Sequence, residues 1–265
     1  MLGALIGDIV GSRFEFNNIK TKNFQLFHPD CLVTDDSVMS VAVAEMCLKG
    51  FVPNNKDGII KTFKKWGKKY PYAGYGSRFI NWVLSNDINP YYSCGNGSAM
   101  RISAIGFYAN TEEEVKLYSK SVTEVTHNHP EGLKGAEVTA MCIFMAKKGK
   151  TKEEIASYVK QYYDINFDYE YLKQTYVHGQ EICQITVPQA IYCFLISNSF
   201  KESGKVYNLY DSKADMRDEL VLTKKRFQRL NIFLNQMHLK TIDDAELALL
   251  KAEFADIIDE KELPF

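Results

Sequence analysis

The chain has 265 residues, 46% of them hydrophobic and 25% charged, with a formal net charge of −1. That length and balance imply a stable globular protein with a large buried core. Near-zero charge excludes a surface built for nucleic acid backbone or an anionic membrane, since both require a net basic face, so any anion must be bound locally.

Residues 1–10 are apolar but lack a basic lead, and Asp8 interrupts them, so neither a signal peptide nor a membrane span is expected. The cysteines, Cys31, Cys47, Cys94, Cys142, Cys183 and Cys193, are scattered without Cys-x-x-Cys pairs and read as reduced thiols, which places the protein in the cytoplasm. Asp8 and Glu15 flank a Gly11-Ser12 turn in an otherwise apolar segment. A buried acid needs a partner: Asp8 either satisfies backbone N–H groups or joins a site, and Glu15 is freer to act as a base or gate.

Val38, Val41, Ala42, Met46 and Leu48 recur at helical spacing before Gly50, predicting a helix over 37–49 with Thr34, Asp35 and Asp36 at its start. Those three side chains offer oxygen ligands to a hard cation, or merely cap the helix. The Gly95-Asn96-Gly97-Ser98-Ala99-Met100-Arg101 string follows, without the Lys-Ser/Thr of a Walker loop. Its glycines let backbone approach a ligand, Asn96 and Ser98 supply neutral hydrogen bonds, and Arg101 offers a charge. The alternative is a plain turn between helices. Thr111 and Thr151 each precede a Glu by three residues, the capping-box spacing, and each opens a helix.

His127 and His129 flank Asn128 before Pro130, so on an extended segment both rings point to one side, facing a ligand together or making structural hydrogen bonds. Zinc is not expected, because no further Cys or His stands at ligand spacing. Pro130 suits a first helical position, and an apolar helix to Gly149 is expected to be central. Pro188 is expected to start another helix. The chain to Phe200 thus reads as mostly helical. Residues 201–265 change texture: two amphipathic stretches, one marked by Leu220, Phe227 and Phe233, the other by Leu247, Phe254 and Ile258, suggest a helical hairpin, its second helix capped by Thr241 to Asp244.

Taken in order, the Gly-Asp-x-x-Gly opening ending in Glu15, Thr34-Asp35-Asp36-Ser37, the Gly95 to Arg101 loop, Thr126-His127-Asn128-His129-Pro130-Glu131-Gly132 and Val187-Pro188-Gln189-Ala190 resemble the ADP-ribosylglycohydrolase family over about residues 1–200. The resemblance implies an all-α orthogonal bundle, one or two Mg2+ or Mn2+ ions, and hydrolysis of an N- or O-glycosidic bond to ADP-ribose. By position it makes Thr34, Asp35 and Asp36 metal ligands, Gly95, Asn96, Gly97 and Ser98 a diphosphate and ribose contact, His129 a ribose neighbour, and Glu15 the early active-site acid. Met100, Arg101 and His127 are grouped with the substrate-binding set, and the proton falls to Glu15, Asp35 or Asp36.

One departure stands out. The family draws its other metal ligands from a Gly-Gly-Asp-x-Asp-Thr string that this chain lacks, and the nearest substitutes are Asp211 and Asp215, four apart. The expectation is therefore an ADP-ribosylglycohydrolase-like domain over 1–200 with a divergent helical tail over 201–265, acting as a metal-dependent hydrolase on ADP-ribosylated substrates. The alternatives are a non-catalytic ADP-ribose binder with half a metal site, or an interaction protein, even a homo-oligomer, built on the tail. No membrane or nucleic acid partner is expected.

Overall fold

The computed structural model describes residues 2–16, 19, 24–25, 28–175 and 179–198. The chain divides into two units, one of residues 1–24 with 30–211 and one of residues 25–29 with 212–265. The second unit lies almost wholly outside the described residues, as do the tail helices expected there and Asp211 and Asp215. Within the first unit the described residues are helical, and the strand-like pairing among them is a single antiparallel bridge between Gly95 and Ile182.

The opening apolar run forms α1 (Leu2–Gly11), followed by a tight 3-10 turn, Ser12–Phe14. Helix α2 spans Asp35–Leu48, so it begins two residues before the periodicity suggests, and both carboxylates are its first two residues. α3 (Lys56–Lys69) and α4 (Ser77–Leu84) follow, then two short helices, α5 (Gly97–Met100) and α6 (Ser103–Tyr108). α7 (Glu112–Thr123) and α9 (Lys152–Val159) start at the two expected threonine caps. At Thr151 both arms of the box close, whereas at the other the Glu114 carboxylate reaches one residue further back, to the Asn110 N–H at 2.7 Å.

Pro130 opens α8 (Pro130–Lys147), the long central helix. α5, α6, α7, α9 and α11 (Cys183–Ile196) all pack on it; α10 (Tyr169–Thr175) lies between α9 and α11 in the chain. Ala136, Val138 and Ala140 are fully buried, which explains why α8 is apolar on nearly every side. Pro188 corrects an expectation: it stands inside α11, as its sixth residue, rather than opening it. The helix is seeded earlier because Ile182 pairs with Gly95 and the Cys183 N–H donates to Cys94 O (2.9 Å), which fixes the first turn before the proline is reached.

The α6–α8 crossing depends on Gly106, where a Cβ would come 2.7 Å from both Ala140 O and Ile143 Cβ. Gly106→Ala must push backbone away from backbone, and we expect a loss of about 1–3 kcal/mol, read from the urea midpoint.

Candidate active site

One half of the site is built by α1 gripping the start of α2. Thr34, at the N-cap, makes no side-chain cap to its own helix. Asp8 supplies it from α1 instead, accepting from the Thr34 N–H (3.0 Å) and the Ser37 N–H (3.1 Å) through one oxygen and from the Thr34 hydroxyl through the other. The Asp35 N–H donates to Ala73 O at 2.7 Å, bringing the 73–75 segment alongside.

This arrangement gathers like charges. Burial, then Glu15, then Asp8 push the Asp35 carboxyl up to about 7. Asp36 is raised well above the usual range by burial and then by Asp35, Asp8 and Glu15. Four acids gather at one helix start, where the charges of Asp8 and Glu15 penalise those of Asp35 and Asp36, and form a donor set whose chemistry suits a hard cation. As they stand, however, no group of three or more His, Cys, Asp or Glu side chains among the described residues is placed to hold a metal ion. Ser37 Oγ, buried beside the acids' helix turn, has no hydrogen-bond partner among the described residues.

The other half is the glycine loop. The Asn96 N–H donates to Glu181 O (3.0 Å) and the Cys183 N–H to Cys94 O (2.9 Å), tying the loop to the start of α11. Ser98 is fully buried and its hydroxyl donates to Gly132 O (2.9 Å) in the first turn of α8. Cys183 Sγ lies 3.2 Å from Ser98 Oγ and donates to Gly95 O at 3.3 Å. Burial pushes this thiol up to about 11, so it stays protonated. Gly97 has His127 Nε2 only 3.1 Å from where a Cβ would stand, so a side chain there would force the ring to shift by a few tenths of an ångström.

Under the loop sits Arg101, 1% exposed, its guanidinium 4.4 Å from the Phe63 ring centroid and 5.9 Å from that of Phe79. Nη2 donates to Thr126 Oγ1 (2.7 Å) and, at 3.5 Å, to Val122 O. Its charge therefore acts on the loop from below, through protein. The two histidines diverge rather than facing one way. His127 is buried and hydrogen-bonded to Thr126, while His129 caps α8, its Nδ1 accepting from the Glu131 N–H at 3.1 Å. The exposed Tyr92 ring stands edge-on to His129 at 4.7 Å, from a residue held at a φ of 54° where a side chain is strained.

The halves are joined. Ser40, on α2 just beyond the carboxylates, donates to Met100 O at the end of α5 (3.2 Å). Arg78, on α4 next to the segment that touches Asp35, donates to Tyr91 O and lies over the Tyr91 ring, 5.1 Å from its centroid. Sequence reasoning passed over Arg78, which belongs to no polar string, named Thr126 only as the start of the histidine string without a role of its own, and treated Asp8 as ambiguous.

A family model for ADP-ribosylglycohydrolase matches residues 1–211. The chain belongs to the ADP-ribosylglycohydrolase family. Among relatives, human ADP-ribosylhydrolase ARH3 is 25% identical over 252 residues, covering 83% of this chain and 66% of its own. The chicken protein of that name is 27% identical over 188 residues, 58% of this chain and 51% of its own. The chain thus spans about half to two thirds of the curated relatives it matches. A solved structure titled "ADP-ribosylglycohydrolase-related protein complex" has the same fold, with a TM-score of 0.57 at 20% identity, over 77% of each chain. In this member of the family, the string around Asp35 and the string around Gly97 belong to one packed set of helices, α1, α2, α5 and α8, and the family match runs on to Asp211, beyond the last described residue.

Proposed function

We propose that the protein hydrolyses the glycosidic bond between ADP-ribose and an acceptor, using Mg2+ or Mn2+, in the cytoplasm. The observation that carries this reading is the crowding of Asp8, Glu15, Asp35 and Asp36 at one end of α2, in a family member whose glycine loop is tied to that same helix through Ser40. Thr34, Asp35 and Asp36 would hold the cation, whose bound form neutralises the acids and supplies a more acidic water. The Gly95 to Ser98 backbone approaches the diphosphate, with Asn96, Met100 and His129 around the ribose. Glu15, Asp35 or Asp36 takes the proton of the attacking water, and the raised proton affinity of Asp35 and Asp36 suits a base working near neutral pH.

Incubation with Mg2+ or Mn2+ and substrates carrying ADP-ribose on arginine, on serine or on nucleic acid should release free ADP-ribose, measured by chromatography. A folded protein that releases none from any of these overturns the proposal. A second reading, an ADP-ribose binder without turnover, draws support from the lack of three converged ligands among the described residues and from the missing Gly-Gly-Asp-x-Asp-Thr string. Calorimetry separates the two: binding that needs the cation and disappears in Asp35→Ala favours the hydrolase, and cation-independent binding without turnover favours the binder.

A further inference from the structure

Arg101, Thr126 and His127 form a run of hydrogen bonds whose last ring lies against the glycine loop. A guanidinium can only donate, so Thr126 Oγ1, 2.7 Å from Arg101 Nη2, is the acceptor there. The threonine hydroxyl has one proton of its own, and His127 Nδ1 stands 2.8 Å away to take it. Tyr91, edge-on to the imidazole with ring centroids 5.9 Å apart, also stands beside Thr126; its phenol O–H can only add a second donor to Thr126 Oγ1, which leaves the threonine's own proton for His127. If Nδ1 accepts, the proton of a neutral ring resides on Nε2. That nitrogen faces the loop: it lies 3.1 Å from the Cβ position of Gly97 and 3.7 Å from that of Gly95.

We propose that Arg101 and Thr126 are positioning residues that lock His127 into its Nε2–H tautomer, so that a neutral imidazole donates one hydrogen bond to an anionic oxygen of a ligand held on the 95–98 loop. The ligand in this statement rests on the proposed ADP-ribose reading, whereas the tautomer is a property of the free protein. Burial, and then the charges of Arg101 and Arg78, hold the imidazole well below its ordinary pKa, which keeps it uncharged at neutral pH. The opposite tautomer would turn a lone pair towards a phosphate oxygen and repel it. The lock thus gives a donor that neither titrates nor flips as the ligand arrives.

The test is nitrogen-15 NMR of the imidazole rings in the free, full-length protein, paired with calorimetry using ADP-ribose. In the wild type and in Thr126→Ser, His127 should show a protonated Nε2 and a bare Nδ1. In Thr126→Val the two tautomers should mix, and the affinity should fall roughly tenfold, the worth of one hydrogen bond; Thr126→Ser should restore it. A wild-type ring protonated at Nδ1 or at both nitrogens overturns the proposal, as does an unaltered tautomer in Thr126→Val. If that variant does not fold, the wild-type and Thr126→Ser spectra decide. The expected spectra without any ADP-ribose binding would sink the function proposed above and leave the lock standing.

Discussion

Asp36→Asn is expected to lower the rate of ADP-ribose release by roughly a thousandfold, the scale of a lost acid–base group, while leaving the metal-free protein as stable as the wild type or more so. The two effects share a cause. Asp36 is driven towards its protonated form by burial and by three neighbouring acids, so its ionised form opposes folding, and an amide of the same shape removes that opposition. The sign follows from proton uptake. An acid raised from 3.8 in the unfolded chain to about 7 in the fold, as Asp35 is, binds protons more tightly when folded, so stability is greatest at the acid end and declines as pH rises between those values. In chelator, the thermal midpoint of the wild type should therefore fall from about pH 4 to about pH 7 more steeply than that of Asp36→Asn, and Mg2+ or Mn2+ should lift the wild type more than the variant. Equal slopes, or a variant that keeps its activity, would show that these acids do not act as one charged cluster.

Arg101→Ala should be the most damaging single change in the glycine loop, costing about 3–4 kcal/mol and lowering the thermal midpoint by roughly 10 °C. The side chain is among the largest fully buried ones, packed on Phe63 and Phe79, so truncation opens a cavity and strips a donor from Thr126 and Val122. Arg101→Met separates volume from charge. Because no carboxylate pairs with this guanidinium among the described residues and burial already pulls it down to about 10, an apolar chain of similar length should recover most of the lost stability. It should not recover ligand affinity, since the donor to Thr126 stays absent. Calorimetric unfolding in both variants, with ADP-ribose titrations on the one that folds, checks the pair.

Much of this was legible in the chain because the informative residues are contiguous. The threonine caps, the proline at the head of α8 and the all-helical character each follow from a local rule that a single stretch obeys. Pro188 misled because a helix start was inferred from the proline alone, while the true start was set by pairing with a loop almost ninety residues earlier, which no local pattern encodes. The same limit applies at the site. His127 and His129 look equivalent in sequence, yet one is turned inward by Thr126 and the other is consumed in capping at the bend that opens α8. Asp8 serves a helix whose N-cap, Thr34, lies twenty-six residues further on, so its partner could not be named from its neighbours. The tail's acids, Asp211 and Asp215, expected as substitutes for the missing ligand string, fall outside the described residues.

The glycine loop is fastened from three directions at once, by Glu181 and Cys183 at the head of one helix and by Gly132 in the first turn of another. A segment held in that way cannot breathe alone: freeing it requires two helices to part from it together. The Asn96 amide proton, which donates to Glu181 O, should accordingly exchange with deuterated water far more slowly than one in an ordinary surface turn. For a ligand, the consequence is a receptor whose shape is settled before the encounter, so that little ordering entropy remains to be lost on docking.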